Sequence, residues 1–256
     1  MKLFKIVLIV TSLVWTCYNF WIAINSSGSV NLVNFVTIIP IITALYTEID
    51  WIYIHSNKIR AYFLLKTVKF TAKSYKYIDE ETSIAELENS IREELLSNHK
   101  YKIDEAHIKR THEDLYFTVE SESGVSNSLV ISTKQDSRGQ CVTIKCEYQI
   151  AYRDVATSWK SFLSVRNNFF AKFAQAENSK ERFDVTITTD KNKKYSPFYR
   201  LTVKHIGKVK IEKFDLTFRD SKLKVVTNLN KIYGTSDNFQ DIEKLIKEYI
   251  PLSKLT

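Results

Sequence analysis

Two long hydrophobic runs open the chain, over residues 6–24 and 30–49, and a short polar segment separates them. The first run carries no charged side chain, and as a helix it would be about 28 Å long, close to the ~30 Å of a bilayer's hydrocarbon core. The pattern predicts a two-helix transmembrane hairpin over residues 1–55. A cleaved secretory signal fits less well, because the run is long and no small-x-small cleavage site follows it.

Basic residues flank these runs on the side away from the connecting segment. Lys2 and Lys5 precede the first run, six Lys or Arg side chains lie between Lys58 and Lys76, and the connecting segment is uncharged. Positive charge favours the cytoplasmic side. We therefore expect a protein of the bacterial inner membrane with both termini in the cytoplasm, in which residues 56–80 form a basic juxtamembrane connector.

Polar residues recur at helical spacing within both runs. They make one stripe on each predicted helix, and two explanations stay open. Polar side chains mediate packing between membrane helices through hydrogen bonds, or the stripes of several copies face a water-filled path. The pore or packing candidates are Ser12, Thr16, Asn19, Asn34, Thr37 and Glu48.

In the remaining residues, 81–256, hydrophobic residues recur at helical spacing in some segments and alternate with polar residues in others, as in a domain that mixes helices and sheet. Ser83 and Glu86 form a capping box at the start of a helix, and Asp154 precedes a long helix with an apolar face. Alternating segments between these helices predict antiparallel strands. The fold expected here is a cytosolic, sensor-like α+β domain with three main helices, whose element order suggests two similar halves.

The net charge of +8 comes from one region of this domain. Residues 191–231 carry 12 Lys or Arg side chains against three acids. A basic sheet face binds phosphate-rich ligands, lies against anionic membrane, or is a solvated edge that prevents aggregation. Tyrosines among the charges suit base stacking. The ligand-binding candidates are Lys193, Lys194, Tyr199, Arg200, Lys204, Lys208, Lys210 and Lys222.

Motifs that mark catalytic or metal sites are missing from the sequence. The chain has no phosphate-binding glycine loop, no nucleophile elbow and no zinc or disulfide spacing among its three cysteines. His107 and His112 are spaced wrongly for two ligands on one face of a helix or strand. We expect no enzymatic activity, no metal and no cofactor.

This layout resembles the two-span membrane effectors of bacterial nucleotide-signalling anti-phage systems such as CBASS, Pycsar and Hailong. The resemblance covers the architecture and carries no diagnostic motif, so it assigns no residue. It implies a homo-oligomeric, channel-like effector in the lipid membrane. A cyclic or linear oligonucleotide from a partner nucleotidyltransferase would control membrane permeability. The alternative hypothesis is a non-conducting membrane-tethered adaptor that recruits a protein partner.

Overall fold

The chain divides into two compact units, Met1–Arg60 and Ala61–Thr256. The computed structural model describes residues 2–25, 67–79, 82–97, 101–121, 124–137, 139–174, 180–189 and 213–249, with the single helical positions Ile52, Ser56, Ile59, Tyr199 and Thr202.

The first unit contains helix α1, Lys2–Asn25. Polar side chains interrupt its apolar surface, and the Thr16 hydroxyl donates to the carbonyl of Ser12 at 2.8 Å. Among the residues described, no helix is long and apolar enough to cross a membrane. The prediction of a two-span transmembrane hairpin is therefore wrong, and so are the inner-membrane location and the classification as a transmembrane protein that were built on it. The second predicted span, residues 30–49, lies outside the described residues.

The second unit is built around one large antiparallel sheet. Its helices are α2 (Ile84–Ser97), α3 (Val155–Phe170) and α4 (Phe239–Lys244), the last continued by a π-helical segment, Leu245–Tyr249. Its strands are β1 (Val68–Ile78), β2 (Tyr101–Ile103), β3 (Lys109–Arg110), β4 (Asp114–Ser121), β5 (Ser126–Asp136), β6 (Gly139–Ile150), β7 (Arg182–Thr188), β8 (Asp215–Asp220), β9 (Leu223–Asn228) and β10 (Lys231–Ser236).

The ten strands lie in the order β2-β4-β5-β6-β1-β7-β10-β9-β8, with β3 paired to β4. Over the described residues the fold is thus a ten-stranded antiparallel sheet with four helices. This corrects the predicted fold class, a membrane hairpin followed by a sheet domain with three main helices. Strand β1 lies in the middle of the sheet, although the sequence suggested that its residues connect the domain to the membrane.

Strand β1 shows how the sheet separates its two faces. Phe70, Ala72 and Ser74 are buried, whereas Lys69, Thr71 and Lys73, which alternate with them, are not. Successive side chains of a strand point to opposite faces, so this alternation means that one face is covered and the other is not. We call the uncovered side, which carries Lys69, Thr71, Lys73 and Tyr75 on β1, the open face.

Helices α2, α3 and α4 pack on the covered face. Helix α2 begins with the predicted capping box, in which the Ser83 N–H donates to the Glu86 carboxylate at 2.9 Å and the Glu86 N–H to the Ser83 hydroxyl at 3.3 Å. Helix α3 buries Trp159 against Phe162 and Phe183, with ring centroids 5.5 and 6.3 Å apart. Burial of such large side chains contributes about 2–3 kcal/mol each, so these helices hold the sheet's covered face together.

The sheet consists of two halves with the same strand order. In each half the first strand pairs with the last strand of a three-stranded meander, giving β1·β6 and β7·β10, and a helix follows the meander. Strands β1 and β7 pair with Ala72 opposite Val185. A twofold axis through that pair makes Phe70 equivalent to Phe183, and both are buried in the core.

The C-terminal helix approaches the sheet at a glycine. Gly234 of β10 lies on the covered face, and a Cβ atom added there would overlap the side chain of Leu245, which is fully buried. Glycine at this position therefore allows the close approach between β10 and the end of α4.

Gly234→Ala should lower the free energy of unfolding by about 1–3 kcal/mol, because the buried Leu245 side chain has little room to move. Urea denaturation of the full chain measures the change. The matched control adds Leu245→Ala, which makes room for the new methyl group, so the double variant should lose less stability than the two single losses added together. An unchanged urea midpoint for Gly234→Ala, or stability losses that simply add in the double variant, would show that Gly234 and Leu245 are not closely packed.

Candidate functional site on the open face

The five central strands, β6, β1, β7, β10 and β9, make the open face strongly basic. The alternating residues that face this side include six basic groups against the two acids Glu147 and Asp184. The basic residues are Lys69, Lys73, Lys145, Arg182, Lys224 and Lys231.

Register places several of these side chains in one row across the sheet. Lys73 is directly opposite Lys145 on β6 and opposite Asp184 on β7, and the row continues through Thr235 to Lys224. With strands about 4.8 Å apart, Lys145 and Lys224 are about 19 Å apart along the row. Like charges directly opposite each other destabilise a sheet, but Lys145 is neutralised by Glu147, which leaves Lys73 as the member of the pair without an ion-pair partner in the described sheet.

Both acids in this region already have basic partners. Glu147 accepts from Lys69 at 2.7 Å and from Lys145 at 2.6 Å. Asp184 accepts from Arg182 at 2.9 Å and from the Tyr233 hydroxyl at 3.1 Å. Within the described part of the sheet, Lys73, Lys224 and Lys231 make no ion pair, which leaves three cationic groups available to an anion.

The partners of Glu147 also fix its charge. Hydrogen bonds from Lys145 and Lys69 lower the pKa of the Glu147 carboxyl, and they outweigh its partial burial, which acts in the opposite direction. The side chain is therefore an anionic hydrogen-bond acceptor at neutral pH.

A polar pocket of about 740 Å³ lies at one end of the open face. This volume is within the ~300–1,000 Å³ of typical small-ligand sites. Its walls come from the first residues of β1 and β5 and the last residues of β6 and β7, so four strands contribute. The described lining residues are Thr67, Lys69, Ser126, Ser128, Glu147, Tyr148, Gln149, Thr188 and Thr189.

Aromatic side chains are sparse among the central residues of the open face. Tyr75 lies edge-on to Tyr77, with ring centroids 6.3 Å apart, and the Tyr77 hydroxyl donates to Asp136 at 2.8 Å. Tyr233 is held by Arg182 at 3.0 Å. These hydrogen bonds fix the orientation of Tyr77 and Tyr233 and leave Tyr75 as the aromatic side chain best suited to contact a ligand.

A second charged cluster lies on the covered face and has a structural role. Lys76 and Arg166 are each 5% exposed, and both bind Glu181, at 2.7 and 2.6 Å. The Arg166 guanidinium also lies 4.9 Å from the ring centroids of Phe170 and Phe183. Two buried cations thus depend on one carboxylate.

Burial and neighbouring charges shift the pKa values of the groups in this cluster. Burial raises the pKa of the Glu181 carboxyl, but the hydrogen bond from Lys76 and the charges of Lys76 and Arg166 lower it by more, so the net pKa is below its ordinary value. Burial lowers the pKa of Arg166, although the Glu181 charge opposes that effect.

A third cluster fastens the outer strands to helix α2. Glu88 accepts from Arg110 at 2.6 Å and from Arg92 at 2.8 Å, and Arg92 also donates to Glu105 at 2.6 and 2.9 Å. The hydrogen bond from Arg110 is the main reason that the pKa of Glu88 is lowered. All of its charges are paired, so this cluster offers nothing to a ligand.

The predicted ligand residues fall mostly outside the described residues, namely Lys193, Lys194, Arg200, Lys204, Lys208 and Lys210. Tyr199 is at a helical position with its ring 5.6 Å from that of Phe214. Lys222 lies in the turn between β8 and β9 and binds Asp237 at 3.1 Å. The structure therefore does not bring Lys222 to the row of lysines on the open face.

The predicted pore or packing residues belong to the first unit. Ser12, Thr16 and Asn19 lie on α1, where Thr16 bonds back to the Ser12 carbonyl. Asn34, Thr37 and Glu48 lie outside the described residues.

Lys69 and Lys73 of the open face were missed because residues 68–78 were not recognised as a strand. Residues 68–78 alternate buried and polar positions, with Lys69 and Lys73 on one side and Val68 and Phe70 on the other. That period of two is the signal of a strand with one covered face. The positive charge of residues 58–76, which follow a hydrophobic run, favoured a membrane connector instead.

The described residues contain no arrangement of side chains suited to binding a metal ion. No group of three or more His, Cys, Asp or Glu side chains there is placed to hold a metal ion. Cys146 is buried, and burial raises the pKa of its thiol to about 12, so it is not a nucleophile at neutral pH.

Neither a search of protein families nor a search of curated proteins finds a match to this chain.

Glu181→Gln should lower the free energy of unfolding by about 3 kcal/mol, because it leaves Lys76 and Arg166 buried without a counter-charge. The lowered pKa of Glu181 means that its contribution is present above the unfolded pKa of about 4.3 and is lost as the pH falls through the folded value. Urea denaturation from neutral to acid pH measures both effects.

The matched control for this variant is Glu93→Gln, since Glu93 pairs with Lys172 at the surface and its side chain is 75% exposed. That change should lower the free energy of unfolding by less than about 1 kcal/mol. Equal losses for the two variants would contradict a special role for the buried cluster.

Proposed function

We propose that the sheet unit is a binding module and that its open face takes a phosphate-rich ligand, a nucleotide or short single-stranded oligonucleotide. The observation that carries the proposal is the row formed by Lys145, Lys73 and Lys224, in which Lys73 and Lys224 have no ion-pair partner in the described sheet. The proposed activity is binding, and it requires no catalytic step.

The opposed lysines support an anionic ligand. Folding places Lys73 opposite Lys145 although like charges at such positions cost about 0.2–1 kcal/mol. A phosphate between the two ammonium groups removes that repulsion and accepts hydrogen bonds from both. Lys224, farther along the row, is then in position for another phosphate of the same ligand.

The surroundings of the row favour a ligand with many hydrogen-bonding groups. Thr143 and Ser132 on one side, and Thr186 on the other, present hydroxyl groups to the open face. Hydroxyls donate to phosphate oxygens and accept from sugar hydroxyls. A hydrophobic partner surface would leave these groups without hydrogen bonds, so a protein partner with an apolar face fits this surface less well.

The double variant Lys73→Gln and Lys224→Gln should bind a fluorescein-labelled single-stranded oligonucleotide at least roughly tenfold more weakly in low salt. Its logarithmic salt dependence should also become shallower, by about 0.7 for each phosphate contact removed. Fluorescence anisotropy with the full chain, repeated between about 50 and 200 mM salt, measures both quantities.

The matched control is Lys160→Gln with Lys247→Gln, which removes the same charge from α3 and from the π-helical segment after α4. Both of these lysines are exposed, and both lie on elements that pack on the covered face. The proposal predicts little change in affinity and slope for this control. Equal losses in the two double variants would mean that binding follows net charge alone, and the open face would not be the site.

A further inference from the structure

We infer that the polar pocket at the end of the open face selects ribose-containing ligands, with the Glu147 carboxylate accepting hydrogen bonds from the sugar hydroxyls. This inference rests on the proposed function, since it names the class of nucleotide that the open face takes. The pocket is the one lined by Lys69, Ser128, Glu147, Gln149 and Thr188 among others.

Glu147 is the feature of this face that phosphate binding alone does not explain. A carboxylate repels phosphate, yet Glu147 lies between Lys69 and Lys145 in the most basic part of the sheet. Its side chain keeps 27% of its surface exposed and contributes to the pocket wall. An ionised carboxylate in such a place can accept hydrogen bonds from a ligand group in addition to those from its lysines.

The two lysines leave part of the carboxylate available. One Glu147 oxygen accepts from Lys69 and the other from Lys145. A carboxylate has about four acceptor sites, so about two remain. The lysines also hold the group in one orientation, which lowers the entropic cost of binding a diol. The vicinal hydroxyls of a ribose supply two donors to a carboxylate, as in other nucleotide sites where an acid binds the ribose.

The remaining pocket residues fit a sugar better than a base. Hydroxyl groups come from Ser126, Ser128, Thr188 and Thr189, and an amide comes from Gln149. Tyr148, the aromatic residue among the described lining, is only 7% exposed. Bases bind by stacking on exposed aromatic faces, which this lining does not offer. Lys69, at the same wall, is placed to contact the phosphate attached to the sugar.

The test compares two labelled probes of about eight nucleotides, oligoriboadenylate and oligodeoxyriboadenylate, which differ in the 2′-hydroxyl. Wild-type full chain should bind the ribose probe about tenfold more tightly, since a hydrogen bond to a charged acceptor is lost with the deoxyribose probe. Glu147→Gln should bring the ratio of the two affinities close to one. Its affinity for the deoxyribose probe should stay the same or rise, because a negative charge has been removed from a phosphate-binding face.

The matched control is Glu93→Gln, which removes the same charge from an exposed position on α2, away from the open face, and should keep the preference for ribose. Equal binding of both probes by the wild type would overturn this inference and leave the proposed function standing. Binding of neither probe would overturn the proposed function itself. A ribose preference that persists in Glu147→Gln would remove Glu147 from the site, and unfolding midpoints confirm that each variant is folded.

Discussion

Strand β1 is paired along both of its edges, with β6 over 11 residue pairs and with β7 over seven. A one-residue shift in the register of this strand would exchange its two faces, because successive side chains point to opposite sides. Such a shift would put Phe70 in solvent and Lys69 under the helices. The apolar residues of β1 thus fix the register, and the register in turn aligns the lysines of the open face.

At positions related by the twofold axis, the two halves have more similar residues in the core than on the open face. The rotation that exchanges β1 with β7 relates Phe70 to Phe183, and by the same registers the buried Leu129 to the buried Val225. On the open face the equivalent of Lys73 is Thr186, and that of Glu147 is Thr235. Packing requires apolar residues in both halves, whereas nothing in folding requires lysines in both. Lys69 and Arg182 are equivalent basic positions, but the other differences are consistent with one ligand site that spans both halves.

Local patterns predicted the parts of this fold that depend on local interactions. The capping box at Ser83 and the apolar stripe of α3 follow from spacing along one helix, and both are present. The position of residues 68–78 depends on which distant strands pair with them, and a single sequence holds no record of those partners. The same limit applies to the candidate site, since Lys73, Glu147 and Lys224 are brought together by long-range pairing alone.

Charge along the sequence is therefore a weaker guide than charge across the sheet. The segment 191–231 has the largest local excess of basic residues, yet Lys222 from that segment is paired with Asp237 in a turn. Lys73 lies in a segment that suggested an anchor, and it is opposite Lys145 at the centre of a broad surface. Cross-strand neighbours are about 5 Å apart whatever their separation in sequence. The row on the open face therefore combines Lys224 of the basic segment with Lys73 and Lys145 from elsewhere in the chain, and this combination, rather than the basic segment alone, carries the functional proposal.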